Sequence, residues 1–128
     1  ERYPDPNYSG PNWRQKALAW MKLKDIKEGI IEFVGDDREP EFYAYYADYD
    51  WVVFCRLFGR MIDLPGHFPM WCRDLKQMMW ERGLTGEWKE KTVPQNKNEH
   101  DALADAKWNW ELYIKIMLAE REKLSNKD

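Results

Sequence analysis

The sequence predicts an α/β fold, and three observations predict it. Apolar residues recur at three- and four-residue spacing in long segments toward both ends of the chain, the period of an amphipathic helix. Between them lies Glu41-Phe42-Tyr43-Ala44-Tyr45-Tyr46, an aromatic-rich run behind Pro40 that suits an extended strand. Glycine and proline punctuate the junctions, at Gly35, Pro40, Gly59, Pro65, Gly66 and Pro69.

Residues 1–12 read as a loop, with Pro4, Pro6, Gly10 and Pro11 among polar turn formers. Trp13 to Val34 reads as helix with Asn12 as its cap and Leu23, Ile26, Ile30, Phe33 and Val34 as its apolar stripe. The earlier stretch with Ala17, Leu18, Trp20 and Met21 reads equally as a separate short helix. Trp51 to Phe58 is apolar on nearly every side, which predicts a buried helix that Gly59 ends. Leu64 to Pro69 follows as a loop, Met70-Trp71-Cys72 as a short strand, and Asp74 to about Glu81 as a helix. Gly83 to Asn98 is expected as a long polar loop broken by Gly86 and Pro94. The last helix is expected from about Asp101 to Lys123, burying Leu103, Ala106, Trp110, Ile114 and Met117, with residues 119–128 a frayed helix end or tail. With no internal repeat, residues 1–128 are expected as a single domain.

Composition narrows the function. The net charge of −3 argues against a protein that coats nucleic acid by bulk electrostatics. It leaves room for a nuclease, because a site for divalent cations needs carboxylates. Eight Trp and seven Tyr are explained mostly by core packing, with exposed rings that stack on bases as the sharper reading. Cys55 and Cys72 have no CxxC or metal-ligand spacing, so reduced thiols in a cytoplasmic protein are expected over a disulfide. No signal peptide or membrane-length apolar run is present, and no membrane partner is expected.

Three positions stand out for chemistry. Asp50 sits where the strand hands over to the apolar run Trp51-Val52-Val53-Phe54. An acid there reads as a helix N-cap at least as readily as a catalytic group. His100 and Asp105 are five apart, a divergence of roughly 140° on one helix. They share a site only if His100 precedes the helix and Asp105 lies one turn inside it. The polar segment before His100 and the small residues Ala102, Ala104 and Ala106 agree with that, although a solvated His and Asp remain the plainer reading. His67 reads as a loop residue.

Glu99-His100-Asp101-Ala102-Leu103-Ala104-Asp105-Ala106 closely resembles the third motif of the DEDDh 3′–5′ exonucleases, where His-x4-Asp opens the final helix. Tyr49-Asp50-Trp51-Val52-Val53-Phe54 resembles their second motif. Phe58-Gly59, Asp63-Leu64-Pro65, Pro69-Met70 and Cys72-Arg73-Asp74-Leu75-Lys76-Gln77 look like a bacterial and phage branch, similar to the mycobacterial-type 3′–5′ exoribonucleases related to RNase T. The resemblance covers about Trp13 to Leu118. It implies an RNase H-like exonuclease fold, of which this chain would hold the helix-rich C-terminal part with about two strands. It also implies two Mg²⁺ or Mn²⁺ ions held in part by Asp50 and Asp105, with His100 as general base on the attacking water. Single-stranded RNA or 3′ overhangs are the implied substrates, with DNA a lesser candidate, in a cytoplasmic bacterial or phage-encoded protein. Tyr49 and Trp51 are candidates to stack on bases and equally candidates for the core.

The family's first motif, Asp-x-Glu on an opening strand, has no counterpart in a matching context. Asp36-Asp37-Arg38-Glu39 reads as a turn, and Asp5 sits among prolines. With the Met-less start at Glu1, the expectation is an incomplete piece of an exonuclease, inactive alone. A sheet edge left open would invite a homodimer. The competing expectation is an inactive nuclease-like module that binds nucleic acid or a protein.

Overall fold

The computed structural model describes residues 22–95 and 101–127. The expectations for residues 1–21 and for His100 lie outside them. Helix α1 (Leu23–Val34) follows an extended Lys22 and closes on Gly35, whose positive φ lets its N–H reach back to the Ile31 carbonyl at 2.9 Å. Ile26, Ile30 and Val34, each four apart, form its half-buried stripe. Phe33, expected in that stripe, is 92% exposed, and Leu23 is exposed as well. Phe33 lies about 100° round the helix from Val34, on an open hollow that it lines with Pro40 and Phe54.

The sheet has two strands among the described residues, β1 (Tyr43–Ala44) and β2 (Arg73–Asp74), paired parallel with Tyr43 opposite Arg73. The strand expected over residues 41–46 is this short because Tyr46 takes a left-handed conformation and turns the chain into helix α2 (Ala47–Arg56). The expected strand at Met70–Cys72 is displaced to Arg73–Asp74, while the Met70 carbonyl instead accepts the Trp51 indole N–H at 3.3 Å. Helix α2 is not the all-round buried helix that its composition predicts. Ala47 and Cys55 are buried, but Val52 and Val53 face outward. The apolar run spans the helix and its exit, so Trp51, Phe54 and Phe58 reach the core from one side only. A turn of 3₁₀-helix (Met61–Asp63) and a loop then carry the chain back to β2, the crossover that parallel pairing requires.

Helix α3 (Leu75–Glu81) begins one residue past the expected start, with Asp74 as its cap. The expected long loop contains helix α4 (Gly86–Thr92), capped by the Thr85 hydroxyl, which accepts from the Trp88 N–H at 3.1 Å. Helix α5 (Ala102–Ser125) starts at an Asp101 cap and is helical past residue 119, through Ser125. Its buried residues are Leu112 and Ile116, not the predicted Leu103, Trp110, Ile114 and Met117, all of which are exposed. At about 100° per residue, Leu112 lies on the opposite face from the predicted stripe. The helix has two apolar faces, and only one is covered among the described residues.

Residues alternate across β1 and divide the interior in two. Phe42 packs with Cys55, Leu64 and Phe68 against α1 and α2. Tyr43 and Tyr45 pack on the other side with Leu75, Met79, Val93, Leu112 and Ile116. The result is a small parallel sheet with helices on both faces, an α/β layering. Met79→Ala is expected to cost about 2–5 kcal/mol in urea unfolding. Phe33→Ala is expected to stay within about 0.5 kcal/mol; equal costs would refute this assignment of the core.

Candidate active site at the carboxyl ends of the strands

The first turns of α2 and α5 carry the two predicted carboxylates. Tyr46, the residue between β1 and α2, has φ 56° and ψ 60°, the one non-glycine positive φ among the described residues. That conformation costs about 1 kcal/mol or more. Its N–H donates to Asp74 Oδ1 at 3.2 Å, and the same oxygen accepts the Lys76 N–H at 2.8 Å. Asp74 therefore ties the exit of β1 to the start of α3, at the carboxyl end of the sheet. Open α/β sheets bind ligands at that end.

Asp50 stands one turn into α2 and is exposed. It is not the helix cap, because Tyr46 occupies that position. Tyr49 beside it is 77% exposed and is no core residue. The neighbourhood of Asp50 registers on Cys72. Burial, then the charges of Asp74, Asp50 and Cys55, push that thiol up to about 11.

Asp105 stands in the first turn of α5 and is half-buried. Seven residues separate it from Leu112, close to two full turns, so it shares the covered face of the helix. Three residues on, the Trp108 ring meets the Tyr45 edge at 5.4 Å, and its indole N–H donates to the Pro94 carbonyl at 3.1 Å. Lys89 lies over both rings, at 5.1 Å from Tyr45 and 5.3 Å from Trp108. Tyr45 in turn touches Tyr46 at 4.6 Å. An aromatic bridge thus joins the start of α5 to the residue from which α2 departs. Neither Asp50 nor Asp105 has a hydrogen-bond or ion-pair partner for its carboxylate among the described residues.

Residues 10–117 match the family profile of the 3′–5′ exoribonuclease Rv2179c-like domain. The chain belongs to that family. It is 32% identical over 93 residues to the 3′–5′ exoribonuclease Rv2179c of Mycobacterium tuberculosis, a stretch covering 71% of this chain and 52% of the relative. The 3′–5′ exoribonuclease MT2234.1, from a second strain of that organism, matches equally, at 32% over 93 residues. The chain spans about half the length of these curated relatives.

In this Rv2179c-like domain, carboxylate oxygens are the right donors in kind for Mg²⁺ or Mn²⁺. They fall short in number, because no group of three or more His, Cys, Asp or Glu side chains able to hold an ion occurs among the described residues. Asp37 and Glu39 do not add to the set. They lie on an exposed turn, where the Asp37 carboxylate accepts the Glu39 N–H at 3.0 Å. His67 is a loop residue whose ring meets the edge of Phe68 at 4.9 Å. Sequence reasoning missed Tyr45, Trp108, Lys89 and the second role of Asp74. An acid just before an apolar helix signals the cap, but its bond to Tyr46 spans 28 residues and leaves no local trace.

The Cys72 thiol is expected to resist iodoacetamide near pH 8, its alkylation rate rising toward pH 11 as the thiolate forms. Asp50→Asn removes a negative charge, lowers the thiol pKa and should speed alkylation at fixed pH. An unchanged rate, read by mass spectrometry, would mean that Asp50 does not face Cys72.

Proposed function

We propose that this chain supplies one half of the active site of a 3′–5′ exoribonuclease of the DEDDh type, built on an RNase H-like fold. The observation that carries this reading is the pair of carboxylates without partners among the described residues. Asp50 and Asp105 open two helices on either side of the Tyr45 bridge, and the half-buried Asp105 shares the covered face of its helix. A half-buried carboxylate without a hydrogen bond is costly unless a ligand answers it. Membership in the Rv2179c-like family gives that ligand and substrate their class.

In this reading Asp50 and Asp105 are oxygen donors to a pair of Mg²⁺ or Mn²⁺ ions, with further carboxylates needed to complete the set. Such ions, when bound, supply positive charge to the phosphate oxygens of an in-line displacement. His100, just ahead of the α5 cap, takes the proton of the attacking water, a task suited to an imidazole near neutrality. Exposed Tyr49, in the same turn as Asp50, stacks on a base at the 3′ end of single-stranded RNA. The two free cysteines accord with a cytoplasmic protein, and no helix among the described residues is long and apolar enough to cross a membrane.

Residues 1–128 alone are expected to release no nucleotides from single-stranded RNA with Mg²⁺, because two carboxylates cannot balance two divalent charges. In a catalytically competent form, Asp50→Asn and Asp105→Asn are each expected to lower kcat about a hundredfold or more. His100→Ala is expected to lower it by about 10²–10⁴. Retention of full kcat by either Asp variant would sink the assignment. RNA binding without hydrolysis in every form of the protein would instead favour an inactive nuclease-like module.

A further inference from the structure

At the other end of the sheet, the segments entering the two strands enclose an open cavity of about 290 Å³. Its polar and aromatic lining includes Arg38, Glu39 and Glu41 ahead of β1, and His67, Trp71 and Arg73 around the start of β2. Its place sets it apart from Asp50 and Asp105, because parallel strands direct their carboxyl ends away from it.

Trp71 is 58% exposed, which core packing does not explain. The Arg73 guanidinium lies over its ring at 4.9 Å and is held there by Glu41 at 3.2 Å. The second Glu41 oxygen accepts the Tyr43 hydroxyl at 2.5 Å, so this acid is engaged on both sides. Arg73 and Trp71 therefore form a cation–π pair in the lining of the cavity, and the indole remains 58% exposed. Arg38 on the rim has no ion pair or hydrogen bond among the described residues. Glu39 is the acid left unpaired among the described residues, so the charges nearly balance. That balance disfavours a site that works by charge alone and favours one that works by stacking.

We propose that this cavity is a second subsite for single-stranded RNA, with a base stacked on Trp71 and the adjoining phosphate directed to Arg38. Base stacking on an exposed ring tolerates any sequence and needs little net charge. A cavity of about 290 Å³ has room for a single base. Each strand has two residues, about 3.3 Å apiece, so a few nucleotides span from this cavity to the carboxyl ends. The subsite grips RNA away from its 3′ terminus. The choice of RNA rests on the exoribonuclease reading.

The test is fluorescence anisotropy of a labelled twelve-nucleotide single-stranded RNA titrated with the 128-residue chain. Trp71→Ala should weaken binding about tenfold, and Trp71→Phe should recover part of the loss. Arg38→Ala, on an exposed turn, should weaken it severalfold and make its salt dependence shallower. Trp80→Ala, at an exposed ring on α3 away from the cavity, should bind like the parent. Parental affinity in both Trp71→Ala and Arg38→Ala, or no RNA binding by the chain, overturns the subsite. In a competent form, Trp71→Ala should raise KM and leave kcat unchanged, whereas Asp50→Asn lowers kcat. Failure of the subsite thus leaves the hydrolytic assignment standing, and loss of the hydrolytic assignment leaves the binding result readable.

Discussion

One carboxylate oxygen, Asp74 Oδ1, accepts the N–H of Lys76 and the N–H of Tyr46, residues on two different elements. The first bond caps α3. The second holds Tyr46 in a left-handed conformation that its aromatic side chain does not favour, and from which α2 departs at once. A lost acceptor would leave a backbone N–H unpaired, at about 1–3 kcal/mol, with the strain of Tyr46 no longer offset. The direction of α2, and with it the placement of Asp50 and Tyr49, depends on this contact.

Around that clamp, a strand of two residues separates two cores because successive side chains point to opposite faces. Phe42 meets Trp51, Phe54 and Phe68 as tilted rings within 5.5 Å on one side. Tyr43 meets Tyr113 at 4.7 Å and Tyr45 meets Trp108 on the other. The high aromatic content has its explanation here: large rings fill both sides of a sheet too narrow for many aliphatic residues. Some rings remain outside, Tyr49 at the carboxyl end and Trp71 at the entry end.

Much of the site was legible in the sequence as order and spacing. A helix start near Asp101 with Asp105 one turn inside it follows from local patterns of breakers, acids and apolar residues, whereas the cap reading of Asp50 gives way to Tyr46. The helix α4 was hidden because its seven residues carry no apolar stripe, although Thr85 three residues before Trp88 is a capping signal. The Tyr45, Trp108 and Lys89 bridge was not legible, since it joins segments far apart in the chain.

The sequence by itself determined the α/β class, the helix starts at Asp74 and Asp101, the stop at Gly35, and the order of the motif residues, whereas α2 ends at Arg56, ahead of the expected stop at Gly59. These depend on backbone conformation and on hydrogen bonds within a few residues. The tertiary structure decided which side of each helix is inside. In α5 the stripe of Leu103, Trp110, Ile114 and Met117 is as apolar as the face of Leu112 and Ile116, yet the second is buried and the first is not. Periodicity reveals that a helix has an apolar face; with two, burial falls to the one that meets α3 and β1. Asp105 lies on that face, and this made the acid at that spacing a half-buried one.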